Sequence, residues 1–454
     1  MLKRRKAVCA AVVTATMALA FGLFASGCGT PQQDAQTTTA ADEGSEAAAE
    51  TADAGDAAEG SMASYAEMFP LEYESSQMTR ENAKGIEIGH TIGNLRDICE
   101  RPVMRDVNGD IEWNEDGTMS VFTSEYDEET GQYIVPELTD EQLAELNLKS
   151  GCVACKSSKF NDIYAAQGAA AYGNVYNAEA REIVGGEYWD CAMCHEGTPS
   201  AESLSPQLVY FQALGEGLAE DLDPKMAVCA QCHNSYDYRS KIQTEEDLAT
   251  FKPYRYGNDV DAVFKSAYED GVNFADNDFG LPESYVVHAN VEGFMTTNHF
   301  KMGVTCVDCH MPTMTDEATG TEYRSHFSAS SPLESEEALN YCLTCHESQG
   351  IESTEAMVEF VRGKQETLAS DIEALDARIA EYGEAYAAAV DEGSMSEEDV
   401  AKVKEDYAKA TWYRQVLVTG PYESLGSQIA MLDSADLLTK ANAALDEGME
   451  LVAA

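Results

Sequence analysis

The most constraining feature of the sequence is a short motif that occurs five times between residues 152 and 346. Each copy has two cysteines separated by two residues and followed at once by a side chain that can ligate iron. In a c-type haem site the two thiols bond to the haem and the next residue, usually histidine, ligates the iron. Zinc sites and redox dithiols also use CxxC pairs, but neither explains the adjacent ligand in every copy. The motif therefore predicts a multihaem cytochrome c.

The first copy differs from the other four in its last residue. It ends in Lys156, whereas the others end in histidine. A lysine has a lone pair for iron only as the neutral amine, so the first site is chemically distinct. The predicted attachment residues are Cys152, Cys155, Cys191, Cys194, Cys229, Cys232, Cys306, Cys309, Cys342 and Cys345, and the predicted proximal ligands are Lys156, His195, His233, His310 and His346.

Composition narrows the choice of partners. The 454-residue chain has a formal net charge of −52, which excludes nucleic acid because a phosphate backbone requires a basic surface. An anionic substrate is repelled at long range and needs a local cluster of positive charge. Of thirteen cysteines, ten belong to the motifs and Cys9 and Cys28 lie near the N-terminus. We therefore predict no disulfides, with Cys99 as a free thiol.

The N-terminus has the pattern of an exported lipoprotein. Residues 1–27 begin with basic side chains and continue as an apolar run, which predicts a signal peptide. The small residues before Cys28 resemble a bacterial lipobox, so we expect lipidation there. Residues 28–62 lack large apolar side chains and predict a disordered acidic tether. We expect the protein outside the cytoplasm, anchored to the outer face of the cell membrane or periplasmic.

The rest of the chain predicts a mainly α fold in two parts. Residues 63–350 are predicted to form a pentahaem catalytic domain. We expect short helices and loops there, wrapped around five haems, and a hairpin within 103–135. Residues 351–454 predict a long-helix C-terminal domain whose helices pack on each other or on a second subunit. One helix is expected to end at Gly393, and a capping box from Ser396 to open the next. The apolar seam of the first helix consists of Leu368, Ile372, Leu375, Ile379, Tyr382 and Tyr386.

The histidine count indicates the chemistry. Four of the eight histidines lie in motifs, which leaves His90, His288, His299 and His326 as further ligands. If all four cap the CxxCH haems, the Lys156 haem has an open face. If one caps the Lys156 haem, a CxxCH haem has no histidine partner. An electron carrier closes both axial positions, whereas an enzyme leaves one open. The unusual Lys156 marks its haem as the open one.

The motif order resembles the ammonia-forming cytochrome c nitrite reductases. These pentahaem enzymes have a CxxCK catalytic haem followed by four CxxCH haems and long C-terminal helices, and the resemblance covers roughly residues 80–454. It implies reduction of nitrite to ammonium with six electrons and five covalent haem c groups. It also implies a membrane quinol-oxidising cytochrome as the electron donor and a homodimer.

Family roles transfer to this sequence by position. Near Lys156, the resemblance implies an active-site Arg101, with Arg96 as second choice, together with Tyr236 and His288. It implies that the distal ligands of the third, second and fifth haems are His90, His326 and His299 respectively.

Two departures from the family pattern affect the cofactors. The family has calcium ligands before its tyrosine and histidine, where this chain has Ser235 and Val287. These residues argue against a calcium site. Arg239 or Lys265 is a candidate to supply the positive charge that calcium provides in the family. The fourth haem takes a distal histidine from the C-terminal helices of the family, but no histidine follows His346 here. The candidates are Gln428, Met431 or an empty position.

Two other functions fit the same motifs. The first is reduction of hydroxylamine, sulfite or another small oxyanion on the same fold. The second is a non-catalytic electron-transfer lipoprotein in which His288 caps an iron. Such an electron-transfer protein has only low-spin haem, whereas an enzyme with an open haem site has a high-spin fraction.

Overall fold

The computed structural model describes residues 62–81, 125–127, 132–134, 150–185, 187–209, 211, 218, 222–235, 242, 244–285, 289–328, 331–418 and 434–453. The predicted signal peptide, Cys28 and nearly all of the tether lie outside this part of the chain. The predicted division into domains stays a prediction. In the described part, no helix is both long enough and apolar enough to cross a membrane.

The described chain begins with two helices and a small hairpin. The helices are α1 (Met62–Met68) and α2 (Pro70–Glu81). Strand β1 (Glu125–Asp127) pairs antiparallel with β2 (Gln132–Ile134), with Tyr126 opposite Tyr133. The hairpin thus lies within the predicted segment 103–135.

Short helices, joined by turns, fill the middle of the chain. Local signals limit their length: the Asn177 side chain caps α4 at the Ala180 amide, and Gly185 ends that helix in the left-handed conformation. The α-helices are α3 (Phe160–Gln167), α4 (Ala178–Val184), α5 (Pro224–Ala230), α6 (Glu245–Thr250), α7 (Val260–Asp270), α8 (Asn290–Met295), α9 (Asn298–Lys301), α10 (Cys306–His310) and α11 (Glu336–His346). Single 3₁₀ turns cover Ser150–Val153, Gly168–Tyr172, Cys191–Met193, Pro332–Glu334 and Glu347–Gln349.

Two further hairpins lie between these helices. Strand β3 (Phe274–Asp276) pairs with β4 (Pro282–Ser284), and β5 (Thr313–Thr315) pairs with β6 (Glu322–Arg324), both antiparallel. Each strand has three residues. The described fold is therefore mainly α, as the sequence predicted.

Three longer helices form the C-terminal part. They are α12 (Thr354–Glu392), α13 (Glu397–Val418) and α14 (Ser434–Val452). Helix α12 has 39 residues and ends at Gly393 with a φ of 64°, as predicted. The Ser396 hydroxyl accepts from the Asp399 amide at 3.1 Å and so caps α13. Five of the six seam residues are buried and Ile379 is partly buried, which confirms the predicted helix and its apolar face.

The C-terminal helices pack onto the haem-motif part through aromatic side chains. The Trp412 ring on α13 lies 6.0 Å from the Phe264 ring and 5.9 Å from the Phe274 ring, measured between centroids. Its indole N–H donates to the Val260 carbonyl at 3.2 Å. Trp412 is 1% exposed, so the two parts share one hydrophobic core.

Replacing Gly448 with alanine should destabilise the C-terminal part. A Cβ atom at this position overlaps the hydroxyl of Tyr382, which donates to the Val403 carbonyl at 2.9 Å. Overpacking of this kind costs about 1–3 kcal/mol, so we expect a lower guanidinium midpoint for the haem-loaded variant. Gly363→Ala on α12 is the control, because no atom lies within 4 Å of its added methyl group. Equal stability of both variants contradicts the close packing.

Candidate haem sites

The four CxxCH motifs lie on short helical turns, and their backbone geometry explains the spacing. The His195 amide donates to the Cys191 carbonyl at 3.0 Å, and the His233 amide donates to Cys229 at 2.9 Å. A hydrogen bond across four residues is one helical turn. It brings both cysteines and the following histidine to one face of that turn. This is the arrangement that two thioether bonds and one axial ligand require.

The first motif has a tighter turn. The Lys156 amide donates to the Val153 carbonyl at 2.8 Å, across three residues, and the Lys156 carbonyl accepts from the Trp189 amide at 2.9 Å. Trp189 has a φ of 53°, which is uncommon for a bulky residue and marks a strained position. A Cβ atom on Gly151 would lie 2.5 Å from the Tyr172 carbonyl oxygen. Lys156 is therefore held by a tight turn and close backbone contacts.

Two histidine pairs face each other at the distance that a shared metal requires. The ring centroids of His195 and His326 are 6.4 Å apart, and those of His299 and His346 are 6.0 Å apart. A metal held between two imidazoles, about 2 Å from each nitrogen, separates the centroids by about 6 Å. The residues therefore fit two six-coordinate haem irons. The structure brings together the same pairs that the family resemblance assigned to the second and fifth haems.

Hydrogen bonds at Nδ1 fix the tautomer of three histidines, which are His195, His326 and His233. His326 Nδ1 lies 2.9 Å from the Arg324 carbonyl, which only accepts. The Ser203 hydroxyl donates to the Ser200 carbonyl, so its oxygen accepts from His195 Nδ1 at 2.9 Å. His233 Nδ1 lies 3.1 Å from the Asn290 side-chain oxygen. Each ring thus carries its proton on Nδ1 and keeps the Nε2 lone pair for a metal.

His346 differs from these three. Its Nδ1 atom is buried and has no hydrogen-bond partner among the described residues. The Phe360 ring lies 6.0 Å from the His346 ring, measured between centroids. Among the described residues, His346 therefore lacks the hydrogen bond that increases the basicity of a ligating imidazole.

Burial keeps four of the described imidazoles neutral at physiological pH. It lowers the pKa of His195 to about 4, with a further effect from His326. Burial also lowers the pKa of His326, His233 and His299 below the usual value. A neutral imidazole is the form that ligates a metal.

Helix α2 holds the backbone of His326 in place. The His326 amide donates to the Ser75 hydroxyl at 2.9 Å, and the Thr79 hydroxyl donates to the His326 carbonyl at 2.8 Å. Ser75 and Thr79 are 4% and 0% exposed. No local pattern predicts this contact, since the residues are about 250 positions apart.

The motifs lie next to one another. The Cys232 thiol donates to the Cys155 carbonyl at 3.2 Å, which joins the third motif to the first. The Cys229 thiol forms a hydrogen bond with Cys306, which joins the third to the fourth. The Gln231 amide donates to the Met193 carbonyl at 2.9 Å, and α10 packs against α11. Contiguous motifs of this kind suit electron transfer between haems.

The described cysteines differ in their acidity. Burial raises the pKa of Cys194 and of Cys309 to about 12, unlike the pKa of a reactive thiol. The hydrogen bond with Cys229 lowers the pKa of Cys306. No disulfide joins any two of the nine cysteines with described side chains. In the same part of the chain, no three His, Cys, Asp or Glu side chains converge to hold a metal ion.

Several predicted residues cannot be placed. Those outside the described residues are His90, Arg96, Cys99, Arg101, Tyr236, Arg239, Val287, His288, Gln428 and Met431. Lys265 is described and exposed on α7, with its ammonium nitrogen 3.9 Å from the Tyr256 ring centroid. Ser235, in contrast, is buried. Its N–H and hydroxyl donate to Glu292. Glu292 was not predicted from the sequence, because no local pattern marks it as a buried acid.

The helical fold, the repeated motif and the paired histidines define a cytochrome c with several haems. A family model described as cytochrome c552 matches residues 61–422. The chain belongs to the cytochrome c552 family, and it binds haem c covalently.

Two relatives are named cytochrome c-552. The one from Haemophilus ducreyi is 33% identical over 186 residues, which are 38% of this chain and 34% of that protein. The one from Maridesulfovibrio salexigens is 30% identical over 228 residues, 47% of this chain and 44% of the relative. The chain thus spans less than half the length of the curated relatives it matches.

A solved structure shares the fold. It is a cytochrome c nitrite reductase from Desulfovibrio desulfuricans, described with two calcium sites in its catalytic subunit. The TM-score is 0.58 at 16% identity, over 87% of this chain and 86% of that one. At this identity the similarity shows the fold alone.

Removing the Ser203 hydroxyl should raise the midpoint potential of the haem at Cys191 and Cys194. Without its acceptor at Nδ1, His195 becomes a less basic ligand and the reduced iron is favoured. We expect Ser203→Ala to raise that potential by a few tens of millivolts, roughly, in a spectroelectrochemical titration. Ser348→Ala is the control, because that hydroxyl bonds the Cys345 carbonyl rather than an imidazole. An unchanged potential in Ser203→Ala would remove His195 from the proposed ligands.

Proposed function

We propose that this chain is a respiratory pentahaem cytochrome c that reduces nitrite to ammonium with six electrons at a Lys156-ligated haem. The observation that carries the proposal is the pairing of the histidines. His299 and His326 face motif histidines, so only His90 and His288 are left for the three remaining motifs. At least one iron therefore lacks a distal histidine, and the exceptional Lys156 motif is the best candidate.

The residues of the chain have distinct proposed roles. When bound, the haems supply one-electron transfer and the iron at which the substrate is reduced. Arg101 and His288 supply positive charge and hydrogen bonds to the oxygens of nitrite, where negative charge develops as the N–O bonds break. Tyr236 assists the delivery of protons. In a chain with a net charge of −52, this local positive charge is necessary to hold an anion.

The remaining motifs form the proposed electron path. The third motif touches the first and second motifs through the side chains of Cys232 and Gln231, and its Cys229 lies beside Cys306 of the fourth. This proximity supports transfer through neighbouring haems. The proposed donor is a membrane quinol-oxidising cytochrome. A lipidated Cys28 outside the cytoplasm would keep the protein close to that donor, and the long C-terminal helices are the proposed homodimer contact.

The decisive measurement is ammonium release from nitrite by purified, haem-loaded protein with reduced viologen. We expect stoichiometric ammonium and a high-spin haem signal that changes when nitrite or cyanide binds. A high-spin signal without nitrite turnover would replace nitrite with hydroxylamine, sulfite or another small oxyanion. Only low-spin haem and no turnover would favour an electron-transfer lipoprotein.

Replacing His288 with alanine tests the proposed active site. Loss of a hydrogen-bond donor to the reacting oxygens should lower the turnover number about 10²-fold. The content of five haems, measured by pyridine haemochrome, should not change, because His288 is not a proposed ligand. Tyr256→Phe, which changes an exposed tyrosine outside the proposed site, is the control and should keep the wild-type turnover. Unchanged turnover in His288→Ala would exclude this residue from the site.

A further inference from the structure

Glu292 on α8 is a buried acid whose first oxygen serves three donors. Oε1 accepts from the Ser235 amide at 3.0 Å, the Ser235 hydroxyl at 2.8 Å and the Tyr254 hydroxyl at 2.9 Å. Glu292 is 1% exposed. Its second oxygen, Oε2, is buried and has no hydrogen-bond partner among the described residues. A buried carboxyl group in this state is costly, so its position calls for an explanation beyond packing.

The start of α8 contacts the segment 233–235 at further points. The Val291 amide donates to the His233 carbonyl at 3.0 Å, and the Asn290 side chain accepts from His233 Nδ1. On the other side, the Asn273 side-chain amide donates to the Ser235 carbonyl. Residues 290–292 therefore hold the backbone of this segment and the imidazole of His233 together. We call this set of contacts the Glu292 clamp.

The clamp joins two parts of the chain that matter for the proposed reaction. Ser235 is followed by Tyr236, and α8 begins two residues after His288. We propose that Glu292 is a positioning residue, which fastens the segment leading into Tyr236 to the helix that follows His288. The inference rests on the proposed function for its catalytic consequence, but the contact with His233 is independent of the substrate.

Hydrogen bonds alone can account for this role. Burial raises the pKa of Glu292, and the hydrogen bonds from Ser235 and Tyr254 offset this effect in part. A neutral acid carries its proton on the oxygen that lacks a partner and leaves Oε1 to accept from all three donors. Glutamine has the same acceptor and size, so Glu292→Gln should preserve the clamp. Leucine has no acceptor and leaves three buried donors unsatisfied.

The experiment compares haem-loaded Glu292→Leu and Glu292→Gln proteins with the wild type. Three quantities are measured: the low-spin EPR signal of the haem at Cys229 and Cys232, the kcat and KM for nitrite, and the unfolding midpoint. In Glu292→Leu we expect shifted g-values and a kcat about tenfold lower, with KM changed by less than about twofold, because small displacements of reacting groups are costly. In Glu292→Gln we expect both properties to match the wild type.

Asp406→Leu is the matched control, because it also removes a buried carboxylate, from α13. It should lower the midpoint but leave the EPR signal and kcat unchanged. The proposal is overturned if Glu292→Leu changes only the midpoint, or if Glu292→Gln is as impaired as Glu292→Leu. If Glu292→Leu does not assemble, Tyr254→Phe and Ser235→Ala each remove one donor, and wild-type g-values in both variants would also overturn it. If the wild type does not reduce nitrite, the proposed function fails, but the EPR comparison still tests the clamp.

Discussion

The candidate haem sites depend on hydrogen bonds that determine which nitrogen of each imidazole carries the proton. A histidine whose Nδ1–H has an acceptor in a fixed place keeps its Nε2 lone pair for a metal. Here the acceptors are a hydroxyl, a backbone carbonyl and a side-chain amide, at His195, His326 and His233. They come from a loop, from strand β6 and from helix α8, so the packing of these elements determines where each acceptor lies. The helix α2 belongs to this support although it precedes every motif.

The sequence predicted the local elements well. The 3.6-residue period of the apolar seam, Gly393 and the Ser396 cap are local signals, and each has the predicted structural effect in α12 and α13. The CxxCH spacing likewise corresponds to one helical turn. These features were predictable because each depends on residues only a few positions apart.

The supports of the site were not predictable in the same way. His195 and His326 are more than a hundred residues apart, and only the family resemblance suggested their pairing. Nothing near Trp189 indicates a left-handed backbone, and nothing near Glu292 distinguishes a buried acid from an exposed one. Such features arise from tertiary contacts, which override local propensity. The resemblance argued against a calcium site at Ser235, but it did not suggest the hydrogen bonds that Ser235 makes with Glu292.

The contact between the second and third motifs has a consequence for how the protein is made. The Gln231 side chain is 1% exposed and donates a hydrogen bond to the Met193 carbonyl, so the second and third motifs are in direct contact. Trp189 joins the first motif to the second in the same way. The described cysteines of these motifs are only partly exposed in the folded chain. We therefore expect haem to be attached to the motifs before the contacts between them are complete.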